Sequence, residues 1–465
     1  MKELRRNMRI VATLVIVAFV GLSGWFAFTV FEQGSIWASN SYNTRLGSSK
    51  VRRGDIIDRS GVTVATTDSS GKRVYLENTS ARRAMAVTLG DTAGMSGTGV
   101  EGYFSSTLLD LSDSLLERLA ALFNGTERKG STIELTVDAE LTAYISKHFP
   151  EGYRGAVCVM NYKTGEILSM VSLPNYDPDS VGEDIVEDTA YLNRCLQGLY
   201  APGSVFKIVT LVSALEADPS VADQTFICSG TWEYENGSIV CAGKTAHGQV
   251  SLKTAFAKSC NVTFGKLAYQ LGLERLRATA EKLGFNQNYK LGDFAVYNSQ
   301  FPTTTSGISD LVWAGIGQGT VLTTPMNVAM ITSTVANGGE MMKPYLVKRV
   351  TTSSGTVTRA GSAQSMGRMM TETTANTVAE YMYETVQNGT AKSAAIKGYT
   401  VCGKTGSAET SNDKSVETNS WYTGFIADSA HPYAIAVVVE QGGSGSGKAA
   451  ELAQKALKKT IELVG

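Results

Sequence analysis

The chain has 465 residues, room for one large domain or two to three ordinary ones, each with an ample core. Its 42 basic and 43 acidic residues nearly cancel, which removes the electrostatic case for nucleic acid as a partner. Six cysteines in so long a chain are too few for a disulfide scaffold.

The first element in chain order is an uncharged apolar stretch from Ile10 to Phe31. A bilayer crossing needs about 20 such residues, whereas the apolar core of a cleaved signal peptide runs about 7–15, so an uncleaved anchor is expected. Lys2, Arg5, Arg6 and Arg9 precede it against the single acid Glu3. That bias predicts a cytoplasmic tail at 1–9, an anchor at 10–31, and export of everything beyond. Residues 32–130 read as short strand-like pieces broken by Gly, Ser and Asp, with one helical stretch from Ser112 to Phe123. They contain no catalytic cluster, and a domain boundary is expected near residue 130.

From Ser131 onward strands alternate with longer helices. A strand is predicted at Thr132 to Thr136, a helix opened by Asp138, and a hairpin over Ala156 to Val171 turning at Lys163-Thr164-Gly165. Thr324-Pro325 supplies the N-cap and first residue of a helix that stops at Asn337-Gly338-Gly339. Trp421 to Ile426 and Tyr433 to Val439 read as antiparallel strands, and Lys448 to Val464 as a closing amphipathic helix. The expected class is α+β with a mainly antiparallel sheet.

Three short strings carry chemistry: Ser204-Val205-Phe206-Lys207, Ser259-Cys260-Asn261 and Lys404-Thr405-Gly406-Ser407. Each has a duplicate, at Ser69 to Lys72, Ser41 to Asn43 and Lys163 to Gly165, so context has to separate them. Ser69 lies in a Thr, Asp, Ser and Gly run that reads as a turn, and Lys163 lies in a hairpin loop. Ser204, by contrast, follows the chain break Pro202-Gly203 and opens an apolar segment in which Lys207 is the only charge before Glu216. A helix apolar all round is a buried one. Ser204 at its N-terminus meets free N–H groups and the positive end of the dipole. Lys207, three residues on, faces the same way and loses its charge on burial, which makes it a general base for the serine. Gly398 to Thr405 also fits a phosphate-binding G-x-x-x-x-G-K-T loop, but no strand precedes it, no helix follows, and its loop residues are bulky and β-branched.

Cys228 and Cys241 bracket a segment that reads as a hairpin turning at Asn236-Gly237, across which they could pair. Cys158, Cys195, Cys260 and Cys402 read as small buried packing residues. Neither C-x-x-C spacing nor the scatter of His148, His247 and His431 signals a metal site, so neither metal nor cofactor is expected.

The three motifs, in this order, resemble the penicillin-binding proteins, and specifically the monofunctional class B transpeptidases. Arg53 to Gly61 (RGDIIDRSG) looks like the class B signature just outside the membrane, and Gly155 to Pro178, Asn193 to Glu216 and Gly315 to Pro344 read like successive blocks of the transpeptidase domain. The short N-terminal module resembles the compact penicillin-binding protein A type. The resemblance implies a serine β-lactamase-like transpeptidase domain at 131–465 above a small, mainly β pedestal at 32–130. It also implies Ser204 as nucleophile, Lys207 as base and Ser259 as proton relay. Asn261, Lys404, Thr405, Gly406 and Ser407 would bind substrate, and the backbone N–H groups of Ser204 and Ser407 would form the oxyanion hole. Its implied partners are the peptidoglycan stem peptide, β-lactams, the bacterial membrane and a membrane glycan polymerase of the SEDS family. The same serine could instead serve a D,D-carboxypeptidase, a β-lactamase, or a β-lactam-binding sensor or scaffold. Ser407 stands where many relatives carry Thr, a change that keeps the hydroxyl and the backbone donor.

Overall fold

A computed structural model of the chain describes residues 2–38, 51–109, 128–182, 188–235, 237–289, 293–411, 413 and 415–465. The helical expectation for Ser112 to Phe123 and the Ser41 to Asn43 duplicate lie outside the described residues.

The centre is a five-stranded, wholly antiparallel sheet in the order Val401–Ala408, Asn419–Ile426, Tyr433–Val439, Gly155–Asn161, Ile167–Leu173. Its strands are buried along almost their whole length, because helices cover both faces. The two-residue period of a strand sorts the side chains. Ala156, Cys158, Met160, Ala434, Ala436 and Val438 face one core, shared with the Lys207–Ala217 and Pro325–Ala336 helices. Val157, Val159, Ile435 and Val437 face the other, closed by the Ala139–His148 and Lys448–Val464 helices through Leu141, Ile145, Leu452 and Leu457. The C-terminal helix is amphipathic where the sequence predicts it, with Lys455, Lys458 and Glu462 off the buried stripe. Thr324 accepts from the Asn327 N–H, and Pro325 occupies the first turn where no N–H is needed. Lys163-Thr164-Gly165 is the hairpin loop between two central strands, and Ser69 to Gly71 is an exposed turn. Both duplicates are structural.

A second, six-stranded sheet straddles residue 130. It joins Ile56–Ile57, Thr63–Thr67 and Arg73–Tyr75 to Thr132–Leu135, and then to Val347–Thr351 and Val357–Ala360. The Arg53 to Asp58 segment ties this region together. Arg53 and Arg73 both grip the fully buried Glu101 carboxylate, at 2.8 and 2.6 Å, and Arg73 Nη1 donates to the Gly54 carbonyl at 2.7 Å. A Cβ on Gly54 would lie 2.0 Å from the Ser131 oxygen, so the close approach of the two backbones requires glycine. Asp58 accepts from the N–H groups of Ser60, Val62 and Ala139, the last being the first residue of a helix on the central sheet.

At the N-terminus a helix runs from Lys2 to Ala38, and its Arg6–Phe26 window is apolar and long enough to cross a membrane. Apolar side chains along this window are exposed, unlike those of a core helix.

Candidate active site

Ser204 lies in a short 3₁₀ turn, Gly203–Phe206, and the α-helix proper begins at Lys207. This refines the sequence expectation of a continuous helix. A 3₁₀ turn has three residues per turn, so it eclipses Ser204 and Lys207, and the Lys207 N–H donates to the Ser204 carbonyl. Neighbouring backbone fixes the turn. The Gly203 N–H donates to the Gly317 carbonyl at 2.8 Å, and Trp421 Nε1 donates to the Ala201 carbonyl at 3.0 Å. Gly203 has φ +55°, and a Cβ there would meet the Ser407 oxygen at 2.7 Å, so the turn lies directly against the Val401–Ala408 strand. Phe206 pins it from below, stacked on Phe301 and edge-on to Phe285.

Lys207 is completely buried. Its Nζ reaches the Ser259 carbonyl at 2.7 Å, the Asn261 Oδ1 at 2.7 Å and the Ser259 Oγ at 3.2 Å. Burial lowers its pKa to about 7, against a weaker upward pull from Cys260 and Cys241. A neutral amine has two N–H groups, enough for the Ser259 carbonyl and Asn261, and keeps a lone pair that can accept a proton. Asn261 is held at its other end, where Nδ2 donates to the Val240 carbonyl at 2.7 Å. Its amide therefore positions Lys207 as well as facing the cleft.

Lys404, also fully buried, donates to Ser259 Oγ at 3.0 Å and to the Thr405 carbonyl at 3.0 Å. Burial first, and then the neighbouring Lys207, hold its pKa well below the ordinary lysine value. The Ser259 hydroxyl thus bridges two buried lysines. Its backbone is in the left-handed region, φ +56°, where a non-glycine residue persists only if its surroundings over-determine it. The Thr405 hydroxyl lies 2.6 Å from that of Thr390, and Ser407 Oγ accepts from the Gly445 N–H at 3.1 Å. Lys404 stands mid-strand, so the alternative phosphate-loop reading of Gly398 to Thr405 fails on structure.

The three motifs converge on one cleft of about 570 Å³ lined by Ser204, Ser259, Asn261, Thr405, Gly406 and Ser407. Sequence reasoning did not single out Trp313, Gln318 and Thr390, which also line the cleft, the last beside Thr405. It also separated groups that the fold unites. Cys228, Cys241, His247 and Cys260 come together beside the cleft, although their spacing signals nothing. Cys228 and Cys241 flank the expected hairpin, Thr231–Tyr234 with Gly237–Val240, as free thiols 3.6 Å apart. Cys402 is buried and its thiol pushed up to about 12, the ordinary state of an inert packing cysteine.

A serine one 3₁₀ turn from a buried lysine, beside an edge strand that carries a second lysine, defines the serine acyltransferases that work through an ester intermediate. Residues 155–458 match the penicillin binding protein transpeptidase domain. The chain is 30% identical over 423 residues to the peptidoglycan D,D-transpeptidase PbpA of Mycolicibacterium smegmatis, covering 84% of each. Its fold matches the ceftriaxone acyl-enzyme of penicillin-binding protein A from M. tuberculosis with a TM-score of 0.80 at 26% identity, covering 88% of this chain and 98% of that one. It matches the D,D-transpeptidase domain of a peptidoglycan glycosyltransferase from Eggerthella lenta with a TM-score of 0.73 at 28% identity, covering 90% and 100%. The chain belongs to the penicillin-binding protein transpeptidase family, as a class B member. Its activity class is that of a serine peptidoglycan D,D-transpeptidase.

Proposed function

We propose that Ser204 attacks the carbonyl of the penultimate D-alanine of a stem peptide while neutral Lys207 takes the hydroxyl proton. The observation that carries this reading is the bridging of Lys207 and Lys404 by the single Ser259 hydroxyl, at 3.2 and 3.0 Å, in the cleft that Ser204 lines. Ser259 passes the proton from Lys207 to the departing D-alanine. The N–H groups of Ser204 and Ser407 stabilise the oxyanion, a contribution of about 10²–10³ in rate per donor. Lys404, with Thr405, Gly406 and Ser407, receives the terminal carboxylate. Burial disfavours charge on Lys404, and a docking carboxylate favours it, so substrate binding stabilises the ammonium. An amine of a second stem then attacks the ester and completes the cross-link. A neighbouring cavity of about 840 Å³ shares Trp313, Gln318 and Glu409 with the cleft, which supports room for that second peptide. β-Lactams acylate the same serine.

The apolar stretch at 10–31 serves as the anchor, supported by the apolar Arg6–Phe26 window of the N-terminal helix, with the tail at 1–9 cytoplasmic, the pedestal at 32–130 and the transpeptidase domain at 131–465 outside the membrane. A SEDS-family glycan polymerase is the membrane partner. Labelling with a fluorescent penicillin tests the core of this reading. Wild type takes the label and Ser204→Ala does not; a labelled mutant or an unlabelled wild type overturns it.

A further inference from the structure

Two hydroxyls of the Val401–Ala408 strand line the cleft, those of Thr405 and Ser407, two residues apart and therefore on the same face of the strand. A hydroxyl carries one proton and two lone pairs, so it serves a carboxylate only when its proton is turned toward the anion. For Ser407 the direction is fixed from behind. The Gly445 N–H can only donate, and it donates to Ser407 Oγ at 3.1 Å, which leaves the Ser407 proton for the cleft. Thr405 has a second hydroxyl at its back instead. Thr390 Oγ1 lies 2.6 Å from Thr405 Oγ1, and two hydroxyls bonded to each other hold one proton between them and leave one over. Which residue keeps the free proton depends on which one donates.

The backbone around Thr390 is tied down, so its hydroxyl is delivered to a set place. After the Glu372–Gln387 helix the chain folds back, and the Ala391 N–H donates to the Thr385 carbonyl at 3.0 Å. The Thr390 N–H donates to the Ala257 carbonyl at 3.1 Å, at the end of the Leu252–Ala257 helix and two residues before Ser259. Gly389 packs against the same carbonyl so closely that a Cβ there would lie 2.3 Å from its oxygen. Thr390 thus holds the Ser259 side of the cleft with its backbone and the Lys404 strand with its side chain. Thr405 is buried and Thr390 half-buried, so the bond between them is only partly open to competition from water. An anion facing Thr405 and Ser407 resolves the direction of that bond, because a proton given to a charged acceptor makes the stronger hydrogen bond. A hydroxyl that accepts from behind while donating forward is strengthened further.

We propose that Thr390 is a positioning residue for carboxylate recognition, donating to Thr405 as the Gly445 N–H donates to Ser407, so that both strand hydroxyls present their protons to the substrate anion. The inference rests on the carboxylate-binding role given to Thr405 and Ser407 above. Thr390 acts through Thr405, and what it governs is the preference for a charged over a neutral end group. A substrate or β-lactam with a free carboxylate gains from the aimed proton; one whose carboxylate is esterified offers no charge to receive it.

The test uses the full chain in detergent and compares benzylpenicillin with its methyl ester, each as a second-order acylation rate constant measured by competition with a fluorescent penicillin. The acid-to-ester ratio is the readout, because a general loosening of the fold slows both alike. Thr405→Val lowers the ratio at least about tenfold, the worth of a hydrogen bond to a charged group. Thr390→Val lowers it on the order of fivefold, the worth of an ordinary hydrogen bond. Thr390→Ser, which keeps the hydroxyl, restores it, and adding Thr390→Val to Thr405→Val lowers it no further. A wild-type ratio in Thr390→Val, a Thr390→Ser ratio as low as that of the valine variant, or a further fall in the double variant would each overturn the inference. A wild-type ratio in Thr405→Val would instead overturn the carboxylate reading itself, and the inference with it.

Discussion

The acylation rate should follow the deprotonation of one buried lysine. With Lys207 at about pKa 7, the reactive neutral amine makes up about 90% of the population at pH 8, half at pH 7, about 10% at pH 6 and about 1% at pH 5. An unperturbed lysine at 10.5 would be only about 0.03% neutral at pH 7, so burial raises the working base concentration roughly a thousandfold. The sign is fixed by desolvation: the folded protein disfavours the ammonium, so activity grows as pH rises through 7 and levels off above about 8. The assay is stopped-flow acylation by a chromogenic penicillin from pH 5 to 9, expressed as the second-order rate constant, which reports groups of the free enzyme. Lys207→Arg, whose guanidinium stays protonated throughout, should acylate at least about a hundredfold more slowly at pH 8. A profile flat within about threefold between pH 5 and 8, or a midpoint near 10, would refute the argument.

Removing the shared hydroxyl in Ser259→Ala should slow acylation by about 10²–10⁴, the usual value of a positioned proton carrier, with little change in melting temperature. Gly317→Ala places a Cβ 2.2 Å from the Gly203 carbonyl at a φ of +75°; a stability loss of about 1–3 kcal/mol by denaturant titration, with slower acylation, is expected as the nucleophile turn is pushed off its seat. Glu101→Ala leaves Arg53 and Arg73 facing an empty buried position, and should cost about 3–5 kcal/mol in thermal unfolding while molecules that remain folded still take penicillin.

Much of this was readable from residue patterns. Tyr433 to Val439 and Lys448 to Val464 fall where their apolar periodicity puts them, and Thr324-Pro325 caps the helix it announces. Long, strongly periodic elements and caps are local properties. The Thr132–Leu135 strand was expected, but its six-stranded sheet was not legible, because the strands are two to five residues long and do not reveal their partners. At the site, all three motifs converge as their order and context implied. The left-handed Ser259 was hidden because no glycine marks it, and the 3₁₀ turn at Ser204 was hidden because its sequence differs little from an α-helical start. The clustering of Cys228, Cys241, His247 and Cys260 escaped notice because strand pairing, not helical spacing, brings them together.

The sheet that straddles residue 130 also dictates how long its first strands must wait for their partners. Ile56 pairs with Ile133, and Thr132 in turn pairs with Thr351, so the first strands in the chain share a sheet with a strand made more than two-thirds of the way along. Such long-range pairings are slow, because loop closure must be paid before any contact rewards it. A nascent chain would hold its first strands open until the Val347–Thr351 strand arrives, with their edges exposed to other chains. The first strands to be made are therefore sealed only after more than two-thirds of the chain has followed them.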